Sequence, residues 1–231
     1  MPDFWTDGLG ALVEPFRPVS DRVISNLTTN VEEVIFKYEN SASAIFAGQT
    51  SEKPMLVGWN REDPLGWIAA IFPNGTEAEQ GETVLSAAFG ENITAELLEL
   101  FPLEQFGDNT LTLSRIFSEY IFDCGNRYML QNQSNLWLYQ MEAPAHVAFN
   151  ETGFFGCNEG ACHGVELYYL FGSFDRISQV FPDISDDSPT QEALDLSREM
   201  QRVYLQYIKT GEMSWPKFNS SSELVARYQV C

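Results

Sequence analysis

Two short, largely apolar runs of residues constrain the fold of this chain more than any other feature. The first extends from Pro54 to Trp59 and the second from Leu136 to Met141. A parallel strand that is buried on both faces has this composition, whereas a strand with one face in water alternates apolar and polar residues. Segments with helical periodicity separate and follow the two runs. We therefore predict an α/β fold in which helices flank a partial, mostly parallel sheet.

Three segments carry the periodicity of amphipathic helices. Residues 94–101 form a short one that Pro102 ends. A longer one covers residues 112–131, and its apolar stripe consists of Leu113, Ile116, Phe117, Tyr120, Ile121, Cys124 and Tyr128. The third begins at the capping box Ser188-Pro189-Thr190-Gln191 and ends at Gly211, because glycine readily adopts the left-handed conformation of a helix stop.

Charge and hydropathy exclude two classes of partner. The 33 acidic and 13 basic residues give a formal net charge of −20, and no basic stripe is present. Such a chain repels phosphate backbones, so we expect no nucleic-acid partner. A membrane-spanning helix needs about 20 consecutive apolar residues, and we find no such run. We also expect no metal site, since the adjacent pair Cys162-His163 does not have the spacing of a metal-ligand set.

Glycosylation motifs indicate the compartment. The chain has six Asn-x-Ser/Thr motifs where composition alone predicts roughly two, and we expect glycosylation at Asn26, Asn74, Asn92, Asn132, Asn150 and Asn219. Residues 1–7 lack the basic and apolar regions of a signal peptide. We therefore expect a secreted or extracellular protein whose signal peptide lies on an N-terminal part missing from this sequence. The alternative is a cytosolic protein with a chance excess of the motif.

The four cysteines suit an extracellular chain, because an even number in an oxidising compartment indicates disulfides. Cys157 and Cys162 flank a tight turn and can close a small loop. Cys231 is the last residue of the sequence, and we expect it to pair with Cys124.

One acidic and one histidine residue are candidates for chemistry. Asp63 follows the first apolar run, where ligands bind in open α/β sheets, and His163 lies in a Gly/Cys-rich loop. A histidine on such a loop can act as a general base, and a carboxylate can orient it. Considered alone, each is as well explained as an ordinary turn or loop residue, and Glu62 competes with Asp63 for the acid role. We interpret Glu166 as a structural acceptor at a helix start rather than a catalytic group.

Six motifs, in order along nearly the whole chain, resemble the carboxylesterase/cholinesterase family, the type B carboxylesterases. The stretch from Met55 to Asp63 resembles the segment with the catalytic acid, although Pro64 replaces the glycine usual there. The segment with the family's catalytic histidine resembles the stretch Cys162–Leu167 followed by Leu170-Phe171-Gly172. The remaining matches are Phe16–Asp21, Gly48-Gln49, Leu136–Tyr139 and the ending Thr210-Gly211 with Trp215–Phe218. Cys124 and Cys231 occupy the positions of a disulfide in cholinesterase-like members.

The resemblance implies that residues 1–231 are a single partial domain, the C-terminal portion of an α/β-hydrolase fold. Asp63 and His163 match the acid and base of a Ser-Asp-His triad, which hydrolyses a small-molecule or lipid ester through an acyl-enzyme without a cofactor. The family's Gly-x-Ser-x-Gly motif is absent from this sequence, so we expect the nucleophile on a missing N-terminal half. The alternatives are an inactive cholinesterase-like adhesion or interaction protein and a non-functional truncated product. Retention of both residues favours the hydrolase.

Overall fold

The computed structural model describes residues 45–48, 52–103, 108–145, 157–174, 188–219, 221 and 224–229. Within them the predicted α/β arrangement is present. A three-stranded sheet is formed by β1 (Met55–Asn60), β2 (Leu136–Met141) and β3 (Ala226–Tyr228). The strands are parallel and lie in the order β1-β2-β3. Both predicted strands are confirmed, while the three residues of β3 are too few to give a sequence pattern.

Helices cover both faces of this sheet. In chain order they are α1 (Leu65–Ile71), α2 (Ala78–Phe89), α3 (Glu91–Leu100), α4 (Asn109–Ser118), α5 (Cys124–Leu130), α6 (Val165–Phe171) and α7 (Gln191–Thr210). A π-helical turn, Glu119–Asp123, joins α4 to α5. The sequence predicts α3, α4, α5 and α7. It does not predict α2, although Glu77 and Gln80 form a capping box at its start.

The central strand β2 is buried along its whole length, which explains why all its residues but Gln140 are apolar. Tyr139 and Met141 pack with side chains of α6 and α7. Leu136 and Leu138 point to the opposite face and pack with Leu130 of α5. The alternation follows from the two-residue period of a strand, so one strand supplies the core on both sides of the sheet.

The π-helical turn changes which residues the α4–α5 segment buries. The predicted stripe holds in α4, where Leu113 and Ile116 are buried. It is wrong further on, because Tyr120, Ile121 and Tyr128 are exposed. A π turn inserts an extra residue into the helical repeat and rotates every later side chain about the axis. A strict period of 3.6 residues therefore predicts the wrong face beyond Ser118.

The last long helix begins later than the sequence predicts. Its N-cap is Thr190, whose side chain accepts a hydrogen bond of 3.2 Å from the backbone nitrogen of Ala193. The proposed start at Ser188 is wrong by two residues, since Thr190 keeps the extended conformation of a cap. The predicted end is confirmed, because Gly211 has a left-handed φ of 68° and closes the helix.

Candidate active site

The acidic segment lies directly beyond the carboxyl end of β1, where the sequence predicts it. Helix α4 holds this segment through two serine hydroxyls. Ser118 donates to the backbone oxygen of Asn60, and Ser114 donates to that of Glu62, both at 3.0 Å. Helix α1 begins at Leu65, only two residues after Asp63. Asp63 is thus fixed between the end of a buried strand and the start of a helix.

The histidine segment is a compact loop that enters α6. A disulfide joins Cys157 to Cys162, the residue before His163. Gly164 has a left-handed φ of 78° and is the N-cap of α6. A glycine adopts this conformation without strain, so the chain can turn sharply between His163 and the helix. The other histidine of the sequence, His146, lies outside the described residues.

Asp63 and His163 meet at this point. The Nδ1 atom of His163 lies 2.7 Å from Oδ1 of Asp63. A carboxylate oxygen only accepts, so Nδ1 carries the proton and Nε2 is left as an acceptor. The Asp63 side chain is 7% exposed, whereas that of His163 is 63% exposed. The pair therefore combines a buried carboxylate with an imidazole that a substrate can reach.

Electrostatics favour the protonated form of this imidazole. The hydrogen bond to Asp63 raises the pKa of His163 above its usual value of 6.5. Partial burial of the ring acts in the opposite direction, while the negative charges of Asp63 and Glu166 add to the increase. The histidine is thus a stronger base than a free imidazole.

Two other carboxylates near the loop, Glu62 and Glu166, have different partners. Glu62 is fully buried and accepts hydrogen bonds from Arg61 and Arg115. Asp63, not Glu62, is therefore the acid in contact with His163. Glu166 lies in the first turn of α6 and accepts from Nδ2 of Asn60 at 2.5 Å. This contact agrees with the interpretation of Glu166 as a structural acceptor.

A tryptophan that the sequence analysis missed packs against the histidine. The rings of Trp67 and His163 have centroids 5.0 Å apart and planes inclined by 40°. Trp67 lies in the first turn of α1, the helix that begins two residues after Asp63. No local pattern in the sequence indicates this contact, because it joins residues that are 96 positions apart.

A cavity of about 280 Å³ adjoins His163. Most of its lining is apolar, and the residues are Cys157, Cys162, His163, Gly164, Val165, Leu167, Tyr168 and Ser173. From the sequence alone, the aromatic residues Trp59, Phe154 and Phe155 are explained at least as well by ordinary core packing as by a place in the lining of an ester pocket. Trp59 is buried in the core beside Leu138, because its position in β1 points it there. Phe154 and Phe155 lie outside the described residues.

The structure describes some of the cysteines and asparagines that the sequence predicts to be modified. The pairing of Cys157 with Cys162 is confirmed. Cys231 lies outside the described residues, so its pairing with Cys124 stays a prediction. Four of the six acceptor asparagines are described, and all are exposed: Asn74, Asn92, Asn132 and Asn219. Asn26 and Asn150 lie outside the described residues.

Two further features of the described residues bear on the expected partners. The described part of the chain contains no group of three His, Cys, Asp or Glu side chains arranged to hold a metal ion. None of the helices between residues 45 and 229, where described, is both long and apolar enough to cross a bilayer.

A solved structure is similar to this one in fold. The structure matches that of a PNB esterase, an α/β-hydrolase, with a TM-score of 0.53 and 19% sequence identity. The match covers 81% of this chain and 36% of the esterase. At this identity the likeness shows the fold, which is α/β and similar to that of an esterase.

Two curated proteins of Dictyostelium discoideum are similar in sequence. The Crystal protein is 23% identical over 206 residues, which are 86% of this chain and 36% of that protein. The cAMP-regulated D2 protein is 22% identical over 144 residues, 59% of this chain and 26% of that protein. The chain thus spans about a third or less of the length of these relatives. No model of a known protein family matches the chain.

Proposed function

We propose that this chain supplies the acid and the histidine of a Ser-Asp-His triad in a carboxylic ester hydrolase. The observation that carries the proposal is the contact of 2.7 Å between His163 Nδ1 and Asp63 Oδ1. The pairing leaves Nε2 of a largely exposed ring available to a nucleophile. The esterase-like fold and the order of acid and histidine along the chain support it.

The proposed reaction is acyl transfer. A serine hydroxyl attacks the ester carbonyl while Nε2 of His163 takes its proton, and the imidazolium then gives that proton to the departing alcohol. Water hydrolyses the acyl-enzyme in the same way. Asp63 holds the proton on Nδ1 and stabilises the imidazolium. These proton transfers use protein side chains and water, so the proposed reaction needs no cofactor.

We further propose that residues 1–231 form the C-terminal part of a type B carboxylesterase-like domain. The matched motifs support this assignment, as does the coverage of only 36% of the esterase chain. The nucleophilic serine and the oxyanion hole then come from a segment outside this sequence, because no Gly-x-Ser-x-Gly is present. The substrate is a small-molecule or lipid ester.

We also propose that the protein is secreted and glycosylated. The disulfide at Cys157 and Cys162 and the exposure of all four described acceptor asparagines are compatible with an extracellular protein.

The test begins with the reading frame upstream of Met1. We expect it to encode a Gly-x-Ser-x-Gly motif, and the complete product to hydrolyse p-nitrophenyl esters and react with a fluorophosphonate. In that product, H163Q should abolish turnover, while the 231-residue chain alone should have none. Full turnover by H163Q, or a frame without a nucleophile, contradicts the proposal.

A non-catalytic protein of the same fold is the second candidate. Neither Dictyostelium relative has a name that describes a hydrolase. The same experiment separates the two, because an adhesion or interaction protein should carry another residue at the serine position and should not react with the fluorophosphonate.

A further inference from the structure

Two segments that are distant in sequence pair closely at the candidate site. The backbone nitrogen of Glu62 donates to Ala161 O at 3.1 Å, and that of His163 donates to Asp63 O at 3.0 Å. Between them, Nδ2 of Asn60 donates to Cys162 O at 2.9 Å. The position of the histidine therefore depends on how residues 60–63 hold residues 161–163.

One side chain reaches from the first segment into the second. The Oε2 atom of Glu62 accepts a hydrogen bond of 2.9 Å from the backbone nitrogen of Ala161. Its Oε1 atom accepts from Nε of Arg61 at 2.7 Å and from Nε of Arg115 at 2.8 Å. A carboxylate has two oxygens and can serve both sets of donors at once. Glu62 thus connects the end of β1, helix α4 and the histidine loop.

The loop is shaped to fit this side chain. A Cβ atom placed on Gly160 would lie 2.9 Å from Cγ and 3.1 Å from Cδ of Glu62, closer than real Cβ contacts. Gly160 therefore lets the loop lie directly on the Glu62 side chain. The two arginines offset the cost of burying the carboxylate, which is high for an unpaired charge.

We propose that Glu62 is a positioning residue for His163. Its carboxylate, held by Arg61 and Arg115, anchors the loop through Ala161 and so sets the distance between the imidazole and Asp63. The inference deepens the proposed function, because it assigns different roles to two adjacent carboxylates. Asp63 contacts the base directly, and Glu62 places the loop that carries it.

The test is the titration of His163 by NMR, in a H146Q background that leaves one histidine signal. The pKa of His163 depends on its hydrogen bond to Asp63, so it reports the geometry of the pair. E62Q leaves only one carbonyl oxygen to accept from both the arginines and Ala161. G160A pushes the loop away from Glu62 without changing any charge. Each should lower the His163 pKa measurably towards 6.5.

Matched controls separate positioning from charge and from general strain. D123N removes another buried negative charge, which is paired with Arg127 in the π turn. G125A adds the same methyl group as G160A at a position where its Cβ would lie an ordinary 3.7 Å from Tyr120 O. Both should leave the His163 pKa unchanged.

Three outcomes overturn the inference: an unchanged His163 pKa in E62Q, an unchanged pKa in G160A, or equal shifts in E62Q and D123N. Should E62Q fail to fold, G160A decides, since it keeps every charge. The titration needs no serine, so a negative ester assay rejects the proposed function without affecting this result. In the complete product, E62Q should lower kcat about tenfold with KM retained, as expected for a poorly placed base.

Discussion

His163 and Asp63 are joined twice, through their backbones and through their side chains. The backbone nitrogen of His163 donates to Asp63 O at 3.0 Å, and the imidazole Nδ1 contacts Asp63 Oδ1 at 2.7 Å. The backbone bond fixes the distance between the two Cα atoms before either side chain rotates. The side-chain contact is therefore pre-organised, as an acid–base pair requires.

Replacing Asp63 with asparagine tests the electrostatic part of this contact. D63N keeps the shape but removes the negative charge that stabilises the imidazolium, so we expect the His163 pKa to fall towards 6.5. NMR titration of the single histidine in a H146Q background measures it. An unchanged pKa would show that the contact does not govern the protonation of His163.

In the complete product, the proposed ester hydrolase activity should show a second effect of D63N. This substitution should reduce kcat by about 10⁴, because the amide favours the wrong tautomer of the histidine. Replacing Asp195, an exposed carboxylate of α7, is the control and should leave kcat unchanged.

Stability should depend weakly on the charge of His163. Because its folded-state pKa is raised, protonation favours the folded chain. The contribution is complete below pH 6.5 and is lost as the pH rises through the folded-state pKa. The ring is 63% exposed, so solvent screening limits the gain to less than about 1 kcal/mol. Urea unfolding from pH 5.5 to 8.5 should show that the wild type is more stable than H163Q at low pH and that this difference in unfolding free energy shrinks as the pH rises. A difference that stays constant over this range would contradict the prediction.

The sequence predicts most of the features that depend on local chemistry. The two largely apolar runs predict β1 and β2, and the acid-to-histidine order identifies Asp63 and His163 as candidates. The contact between Asp63 and His163 depends on tertiary structure. No local pattern shows that the carboxylate of Glu62 contacts Ala161 while that of Asp63 contacts His163. Only packing separates the two roles.

The features that the sequence analysis got wrong have physical causes of the same kind. The stripe through Tyr120 and Tyr128 assumes one helical period, and the π turn at Glu119–Asp123 breaks it. The helix start at Ser188 follows a good local capping signal, but Thr190 forms the cap instead. In each case a nearby alternative of similar local free energy is selected by the surrounding structure.

Gly58 should be one of the most sensitive positions in the sheet. A Cβ atom there would lie 2.0 Å from Cζ of the buried Tyr139 ring. That ring cannot move freely, because its hydroxyl accepts a hydrogen bond of 2.7 Å from Tyr204. We expect G58A to reduce the free energy of unfolding by roughly 3 kcal/mol, as in overpacked cores. Urea unfolding measures this loss.

Gly125 provides the matched control for that experiment. It lies in α5 with ordinary space around an added methyl group. Since alanine is the better helix former, G125A should be neutral or stabilising by up to about 1 kcal/mol. Equal losses of unfolding free energy in G58A and G125A would mean that the contact with Tyr139 does not cause the sensitivity of Gly58.

The disulfide before His163 should stabilise the chain and its loop. Cys157 and Cys162 are five positions apart in the sequence. Closing so small a loop in the unfolded state contributes ~2 kcal/mol to the free energy of unfolding. We expect the double variant C157S/C162S to lose this amount in urea unfolding. Mass spectrometry of non-reduced peptides identifies the bond directly, and it also tests the predicted pair of Cys124 with Cys231. Four free thiols would contradict both assignments.

Glycosylation tests the predicted compartment independently of the active site. Asn74, Asn92, Asn132 and Asn219 are exposed, so a glycan at any of them extends into solvent without disturbing the core. At Asn132 the side-chain nitrogen donates to Phe46 O at 2.7 Å, and an amide nitrogen linked to a sugar still keeps one hydrogen to donate. The folded chain is therefore compatible with glycans at all four positions.

We expect expression through a secretory pathway to yield a product whose mobility increases on enzymatic removal of N-glycans. Each Asn→Gln change at an occupied position should remove one step of that shift. The buried Asn109, which is in no such motif and donates to Thr76 O at 2.8 Å, carries no glycan and is the negative site in peptide mapping. Acceptor motifs that a cytosolic protein exposes by chance need not carry glycans. A secreted product in which every described motif is unmodified would therefore remove the main support for an extracellular location.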